Sequence, residues 1–147
     1  MYNLNSIFPV RDSIEVKFKS KKIALKGITL PSGQLKQGDS FNMDFYFLFE
    51  EKVRNDFAVF VHFKSPDGKT LFQNDHFLGN DTNIKHFIEG ELLEDQSIIT
   101  IPSKLEYKGK VEIWLGIWDP YKKKRFKPET PLPNKDRSVK IGEFNIE

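Results

Sequence analysis

Cysteine is absent from the 147-residue chain, and neither sign of charge prevails. Without cysteine, disulfide bonds, thiolate zinc sites and cysteine nucleophiles are excluded. Lys and Arg total 23 while Asp and Glu total 21, so the formal net charge is only +2. Such an even balance does not indicate a surface that wraps a nucleic acid duplex or binds a polyacidic partner. We therefore expect no nucleic acid partner.

Long hydrophobic runs are missing as well. Clean apolar stretches extend over only a few residues, as at 57–61, whereas a membrane helix needs ~20. We therefore expect no membrane span in this chain. Residues 1–10 also lack the basic start and the long apolar segment of a secretory signal.

The motifs of several enzyme classes are also absent. The sequence has no G-x-S-x-G elbow, Walker loop, G-x-G-x-x-G fingerprint or H-E-x-x-H pair, so acyl transfer, nucleotide use and zincin chemistry lack support. Neighbouring carboxylates at 50–51, 89–91 and 94–95 are typical of solvated turns rather than of a glycosidase cleft. We expect a protein that is not an enzyme, without catalytic residues or cofactors.

Aromatic residues, by contrast, are abundant. The chain has 14 Phe, 4 Tyr and 2 Trp, and 38% of its residues are hydrophobic, which is more than a disordered chain carries. Its length matches one domain of usual size. We predict a single domain over residues 1–147, with irregular segments at 1–13 and 127–137.

Alternation of apolar and polar residues predicts strands. Residues 41–49 place a large apolar side chain at every odd position, the period of a strand with one core face. Residues 57–63 form a second apolar run after a polar break, and we interpret the two runs as an antiparallel hairpin. Ser65-Pro66-Asp67-Gly68 has the residues of a type I turn. Further strands are predicted at 14–18, 23–30, 70–75, 97–101, 110–118 and 139–146, the last with a bulge at Gly142, and residues 79–95 are predicted to form a long loop with one helical turn.

Seven or eight short strands without a long helix predict an all-β fold. The expected architecture is a two-sheet antiparallel sandwich of the immunoglobulin-like kind. A jelly roll and a closed barrel are the alternatives, because the pattern of residues does not determine topology.

The order of the segments resembles that of a known module. Residues 58–75 read AVFVHFKSPDGKTLFQND, residues 89–91 read EGE, and residues 99–126 read ITIPSKLEYKGKVEIWLGIWDPYKKKRF. These segments resemble the immunoglobulin-like β-sandwich modules of bacterial extracytoplasmic proteins and of the ends of some membrane glycosyltransferases, over about residues 27–126. The resemblance implies a scaffold for binding, without a general activity, in the periplasm or at the cell surface.

Two positions depart from that module. Lys110 stands where the module has tyrosine, so the tyrosine-corner hydrogen bond needs a substitute donor, for which Tyr107 is the candidate. Phe87 stands in the loop where the module has tryptophan.

The predicted strand at 110–118 carries the candidate site. If Val111 and its alternate neighbours face the core, Trp114 and Trp118 lie on the opposite face. In an immunoglobulin-like order this strand pairs with 57–63, whose outward residues share that face. Indole rings stack against the CH faces of a sugar, while polar side chains bind its hydroxyls. We therefore predict a glycan-binding face whose ligand residues are Trp114, Trp118, Phe60, His62, Glu112, Lys64 and Asp75.

Two alternatives to a glycan-binding face stay open. In the first, the loop at 79–95 or the N-terminal segment covers the indoles and makes them part of a second core. In the second, the chain is a protein-interaction or assembly subunit that uses a sheet edge or residues 121–133. The basic run at 122–125 is typical of a solvated hairpin tip rather than of a nucleic acid site.

The positions of the three histidines can also be interpreted as a metal site. His62 and the pair Asp75-His76 lie on consecutive predicted strands, and His86 is a further donor. The spacing from His62 to His76 matches no compact ligand motif, and alternation puts Asp75 and His76 on opposite faces. We expect a structural hydrogen bond between His62 and Asp75 and no metal site.

Overall fold

The computed structural model describes residues 12–20, 22–31, 33–80 and 83–147, which form an all-β sandwich. Within these ranges the only helical segment is a single 3-10 turn, Ile84–His86. The strands, in chain order, are β1 (Asp12–Phe18), β2 (Ile23–Thr29), β3 (Gln34–Leu35), β4 (Ser40–Phe49), β5 (Ala58–Lys64), β6 (Thr70–Phe77), β7 (Leu92–Thr100), β8 (Gly109–Asp119), β9 (Lys124–Arg125), β10 (Asn134–Lys135) and β11 (Ser138–Ile146).

The strands form two sheets that pack face to face. The smaller sheet has the order β1-β2-β4-β7, and the larger has the order β10-β11-β8-β5-β6, with β3 beside β11 and β9 beside β8. Side chains from both sheets build one core, which extends in sequence from Val16 to Ile146. The prediction of a two-sheet all-β sandwich is confirmed. No helix in the described ranges is long and apolar enough to cross a membrane.

The alternation of β4 and β8 explains which faces are buried. On β4, the core side chains are the odd-numbered residues from Met43 to Phe49, all fully buried. On β8, Val111 and every second residue to Ile117 are likewise fully buried in the core. Because each strand has period two, the even-numbered side chains of β8 point away from the core.

The predicted hairpin between residues 41–49 and 57–63 is wrong. The first run is β4, which pairs with β2 and β7, and the second is β5, which pairs with β6 and β8. Val53, in the polar break between them, is only 3% exposed, and its N–H donates to the carbonyl of Phe87. The chain is thus anchored while it crosses from one sheet to the other. Alternation identifies the buried face of a strand but not its neighbours.

The start of β7 also differs from the prediction. The strand begins at Leu92, inside the segment predicted to be a loop. Leu93 and Asp95 both point inward, so the alternation of a strand is already present there, although Asp95 is a charged residue. Asp95 is fully buried, so it is not a solvated turn residue. Its carboxylate accepts hydrogen bonds from the Gly79 N–H at 2.7 Å and lies 2.8 Å from His76 Nε2.

Two local features agree with the sequence prediction, the turn before β6 and the bulge in β11. The Gly68 N–H donates to the Ser65 carbonyl at 2.9 Å, which closes the predicted turn before β6. The register of β11 shifts between Lys140 and Gly142, which confirms the predicted bulge. β10 lies within 127–137, and β1 starts at Asp12, so both segments predicted to be irregular contain strand residues.

The two positions that depart from the resembled module have clear partners. The Tyr107 hydroxyl donates to the Lys110 carbonyl at 2.6 Å, so this tyrosine does bond to nearby backbone. Phe87 is half-buried and packs edge-on against Phe49, with ring centroids 5.3 Å apart.

Contacts join the two sheets on both sides of the sandwich. On one side, the β6 residue His76 meets the β7 residue Asp95, and the Asn80 side chain donates to the Gln96 carbonyl at 2.7 Å. On the other side, Lys17 of β1 exchanges two backbone hydrogen bonds, of 3.1 and 2.7 Å, with Glu129 in the loop that connects β9 and β10 of the larger sheet. These contacts leave the outer face of the larger sheet, the side turned away from the core, as the surface that carries the predicted site.

Candidate ligand-binding face

Strand register aligns the predicted site residues in rows across the outer face. On β5 and β8, His62 lies opposite Trp114, and Lys64 lies opposite Glu112. Trp114 in turn lies opposite Lys140 of β11. Directly opposite side chains of an antiparallel pair lie on the same face with Cβ atoms ~5 Å apart. The structure therefore brings this half of the predicted site together.

Trp114 is half-buried within a polar network. Its Nε1–H donates to Glu112 Oε1 at 3.2 Å, and Lys64 Nζ lies 5.4 Å from the ring centroid, a cation–π distance. Glu112 also pairs with Lys140, whose Nζ is 3.3 Å from Oε2. Both contacts restrain the orientation of the indole ring.

Phe60 lies on the outer face, yet it is only 6% exposed, so the prediction that it presents its ring to a ligand is wrong. The ring covers Gly116, its opposite residue on β8, so closely that a Cβ on Gly116 would lie 2.0 Å from Phe60 Cζ. The guanidinium of Arg125 covers the ring as well, with Cζ 4.2 Å from its centroid. A glycine inside a strand often marks such a close approach, and this signal was present in the sequence.

Trp118 occupies the other end of the outer face. It is half-buried and lies between Ala58 on β5 and Arg125 on β9. Ala58 is small, and beyond it on β6 lies Phe77, which is 57% exposed. The sequence prediction of the site omits Phe77, although Phe77 lies two residues after the predicted site residue Asp75 and on the same face. Trp118, Ala58 and Phe77 thus form an apolar row across three strands.

The expected hydrogen bond between His62 and Asp75 is not formed. The distance from His62 Nε2 to Asp75 Oδ1 is 3.8 Å, too long for a hydrogen bond. Asp75 instead accepts from Gln73 Nε2 at 2.8 Å. Burial lowers the pKa of His62 more than the Asp75 carboxylate raises it, so the imidazole is neutral at pH 7. A neutral imidazole offers one donor and one acceptor.

The remaining histidines lie apart from this face. His76 points to the opposite side of β6, as alternation predicted, and contacts buried Asp95. His86 is exposed in the 3-10 turn. Among the described residues, no group of three or more His, Asp or Glu side chains is arranged to hold a metal ion.

The loop predicted as a cover for the indoles packs elsewhere. Phe87 contacts Phe49 of the smaller sheet, and its carbonyl accepts from Val53. The loop residues that surround Phe87 therefore lie against the smaller sheet and the 50–56 crossing. The N-terminal segment, the other candidate cover, lies in residues 1–11, outside the described residues.

Comparisons with known proteins do not place the chain in a family. No family model matches the sequence, and no curated protein matches it significantly. Among solved structures, the fold is similar to part of the Pseudomonas fluorescens alkylpurine DNA glycosylase AlkC bound to DNA containing an abasic site analog. The TM-score is 0.48 at 10% identity, and the match covers 85% of this chain but only 30% of that enzyme.

A polar cleft of about 530 Å³ lies at the edge formed by β6 and β7. Asp44 lies in it as a half-buried carboxylate, and burial together with the charge of Asp95 raises the pKa of Asp44. The lining side chains are amides, a carboxylate, a hydroxyl and one aliphatic group: Asn42, Asp44, Asn74, Asn80, Gln96, Ser97 and Ile98.

We expect Asp44→Asn to stabilise the fold slightly at pH 7. A carboxyl whose pKa is raised by folding binds protons more tightly in the native state, so its ionised form disfavours folding at neutral pH. The gain should shrink as the pH falls through the raised pKa of the folded state and vanish below the unfolded-state pKa, where both states are protonated. Urea unfolding at pH 7 and pH 3 measures it, with exposed Glu106→Gln as the control. A loss of stability at pH 7 would contradict the prediction.

Proposed function

We propose that the chain is a non-catalytic binding module that takes a glycan on the outer face of its larger sheet. The observation that carries the proposal is the pair of half-buried indoles, Trp114 and Trp118, on one strand and one face. Four residues along a strand separate them by ~14 Å. Stacking platforms at that separation suit an extended saccharide better than a single sugar.

Polar groups suited to hydroxyls accompany the indoles. Neutral His62 can both donate and accept, Lys64 donates, and the carboxylates of Glu112 and Asp75 accept. Pyranose rings need such a mixture, because each ring has apolar CH faces and a rim of hydroxyls. Phe60 supports the sheet beneath the ligand instead of touching it, and Phe77 extends the apolar row at Trp118.

We assign the sandwich to the immunoglobulin-like kind and its setting to the periplasm or cell surface. The strand order supports the first assignment, since β2-β4-β7 facing β11-β8-β5-β6 corresponds to an A-B-E sheet facing a G-F-C-C′ sheet. The setting rests on the sequence resemblance alone. Recovery of the protein from a periplasmic or surface fraction is its test.

The edge strands favour a second candidate function, a protein-interaction or assembly subunit. β6 and β7 end the two sheets on the same side of the sandwich, and each presents an exposed apolar residue. Phe77 is 57% and Ile98 is 74% exposed. Edge strands with free backbone groups are common docking sites for other chains. Molar mass measured by light scattering across protein concentrations separates the two functions, because an assembly subunit self-associates or co-purifies with a partner.

We expect Trp118→Ala to weaken glycan binding about 30-fold or more, as loss of an aromatic hot spot does. Binding is measured by calorimetry with a ligand selected on a glycan array. The thermal midpoint should change little, because the ring lies outside the core. Ile98→Ala on the other sheet is the matched control and should bind like the original chain.

Trp114→Ala should likewise abolish measurable sugar affinity. If the array shows no ligand, the glycan proposal fails. If either tryptophan variant unfolds at a much lower temperature, that ring is structural and not a platform.

A further inference from the structure

Two arginines link neighbouring hairpin turns beside Trp118. Arg125 Nη1 donates to the Asp136 carbonyl, and Arg137 Nη1 donates to the Arg125 carbonyl, both at 2.8 Å. Arg125 is also the register partner of Trp118. The Arg125 guanidinium therefore lies on the outer face, over the Phe60 ring, and the Arg137 guanidinium is held beside the Arg125 backbone.

No carboxylate neutralises this pair within the described part of the chain. The other end of the face differs, because Lys140 contacts both Glu112 and Glu143 there. Residues 122–137 contain seven basic side chains against two acidic ones, Glu129 and Asp136. Neighbouring like charges repel, and an anion bound between them relieves that repulsion. The seven basic residues are Lys122, Lys123, Lys124, Arg125, Lys127, Lys135 and Arg137.

The backbone at Arg137 favours a different residue. Asp136 and Arg137 form the two-residue turn between β10 and β11, with φ values of 53° and 60°. A turn with two positive φ values favours glycine at its second position. An arginine there is a local conflict between sequence and backbone, and such conflicts concentrate at functional positions.

We propose that Arg125, Arg137 and the Trp118 indole form a subsite for a carboxylate-bearing sugar, such as a uronic acid residue. The inference rests on the proposed glycan-binding function and names the class of its ligand. The sugar ring stacks on the indole, and its carboxylate accepts from the guanidinium forks, which match a planar carboxylate. Each arginine uses only Nη1 for its backbone contact, which leaves other N–H donors for the ligand.

The near-even charge of the chain favours a sugar acid over a nucleic acid. A polyphosphate backbone calls for an extended basic surface, whereas this face is basic only at its Trp118 end and balanced at its Trp114 end. One or two carboxylates are enough to neutralise the arginine pair.

The test compares a galacturonate tetramer with its methyl ester by calorimetry at low and high salt. We expect the acid form to bind at least tenfold more tightly than the ester, with affinity falling as salt rises. Arg137→Gly should weaken binding of the acid form about tenfold or more, since charge-assisted hydrogen bonds are lost. Its thermal midpoint should change little, because the relief of the positive φ offsets the loss of the Arg137 hydrogen bond to the Arg125 carbonyl.

Lys123→Gly is the matched control. Lys123 also has a positive φ, 54°, and also carries a nearby positive charge, but it is not part of the proposed subsite. This variant should change affinity less than about twofold. Arg137→Lys, which keeps the charge and loses the fork, should fall between the original chain and Arg137→Gly.

Other outcomes overturn the inference in distinguishable ways. Equal binding of acid and ester, or binding unaffected by Arg137→Gly, rejects the arginine subsite and leaves glycan binding intact. Failure to bind either form, together with an empty glycan array, rejects both proposals. Tighter binding of a single-stranded oligodeoxynucleotide, with the same dependence on Arg137, assigns the cluster to nucleic acid and overturns the sugar acid.

Discussion

Asp95→Ala is expected to lower the free energy of unfolding by about 3–5 kcal/mol, because it breaks a buried polar contact from one side. The carboxylate is fully buried and binds the Gly79 N–H and His76. Removing it leaves a buried donor without an acceptor, and an unsatisfied buried group costs its full desolvation. It also cuts the contact that joins edge strands β6 and β7.

Urea denaturation measures this loss, with an unchanged slope against denaturant showing that two-state unfolding is kept. Asp95→Asn, which keeps the volume and one acceptor oxygen, should lose less. Glu94→Ala is the neighbouring control. Burial raises the pKa of this half-buried carboxyl, so its charge does not stabilise the fold, and its removal should leave the free energy of unfolding nearly unchanged. The double variant with His76→Ala should cost less than the sum of the single changes. A loss below about 1 kcal/mol for Asp95→Ala would show that the contact is dispensable.

Gly116→Ala is expected to destabilise the sandwich by about 1–3 kcal/mol or more, through overpacking on the outer face. The added Cβ would lie 2.0, 2.5 and 2.8 Å from three carbons of the Phe60 ring. The ring must leave the surface of β8, and Arg125 loses the ring on which it lies. A methyl group that is harmless in most strands is therefore costly at this position.

A smaller residue at position 60 tests whether the Phe60 ring causes the loss of stability. In the Phe60→Leu background, Gly116→Ala should cost less, because the flat ring that meets the new methyl is gone. Both tryptophans of the chain flank this contact, so their fluorescence reports the rearrangement directly. If Gly116→Ala costs the same in both backgrounds, the close approach of Phe60 is not its cause.

Local patterns in the sequence predict the eight longer strands, the turn before β6 and the bulge at Gly142, but not the two-residue strands β3, β9 and β10. Alternation in β8 also correctly placed Val111 and its alternate neighbours in the core, which leaves Trp114 and Trp118 on the outer face. Period two determines the direction of each side chain from its own strand, so these features need no knowledge of partners. That the two indoles bind sugar remains a prediction.

Features that depend on distant partners were not predictable in this way. The burial of Phe60 requires Gly116 on another strand and Arg125 on another hairpin. β7 begins earlier than the sequence predicts, because a charged residue such as Asp95 indicates a surface position unless its partners His76 and the Gly79 N–H are known. The predicted β4–β5 hairpin is wrong because strands adjacent in sequence need not be adjacent in a sheet, and a sandwich often changes layers between consecutive strands.

The links on both flanks of the sandwich have a mechanical consequence. His76 and Asp95 fasten one flank, and the paired backbones of Lys17 and Glu129 fasten the other. Shear, in which one packed layer slides over the next, is thereby opposed at both margins. Trp114 and Trp118 lie on one strand of a layer held in this way, so the face proposed to bind a glycan needs no rearrangement of the sandwich, and the proposed binding loses less conformational entropy.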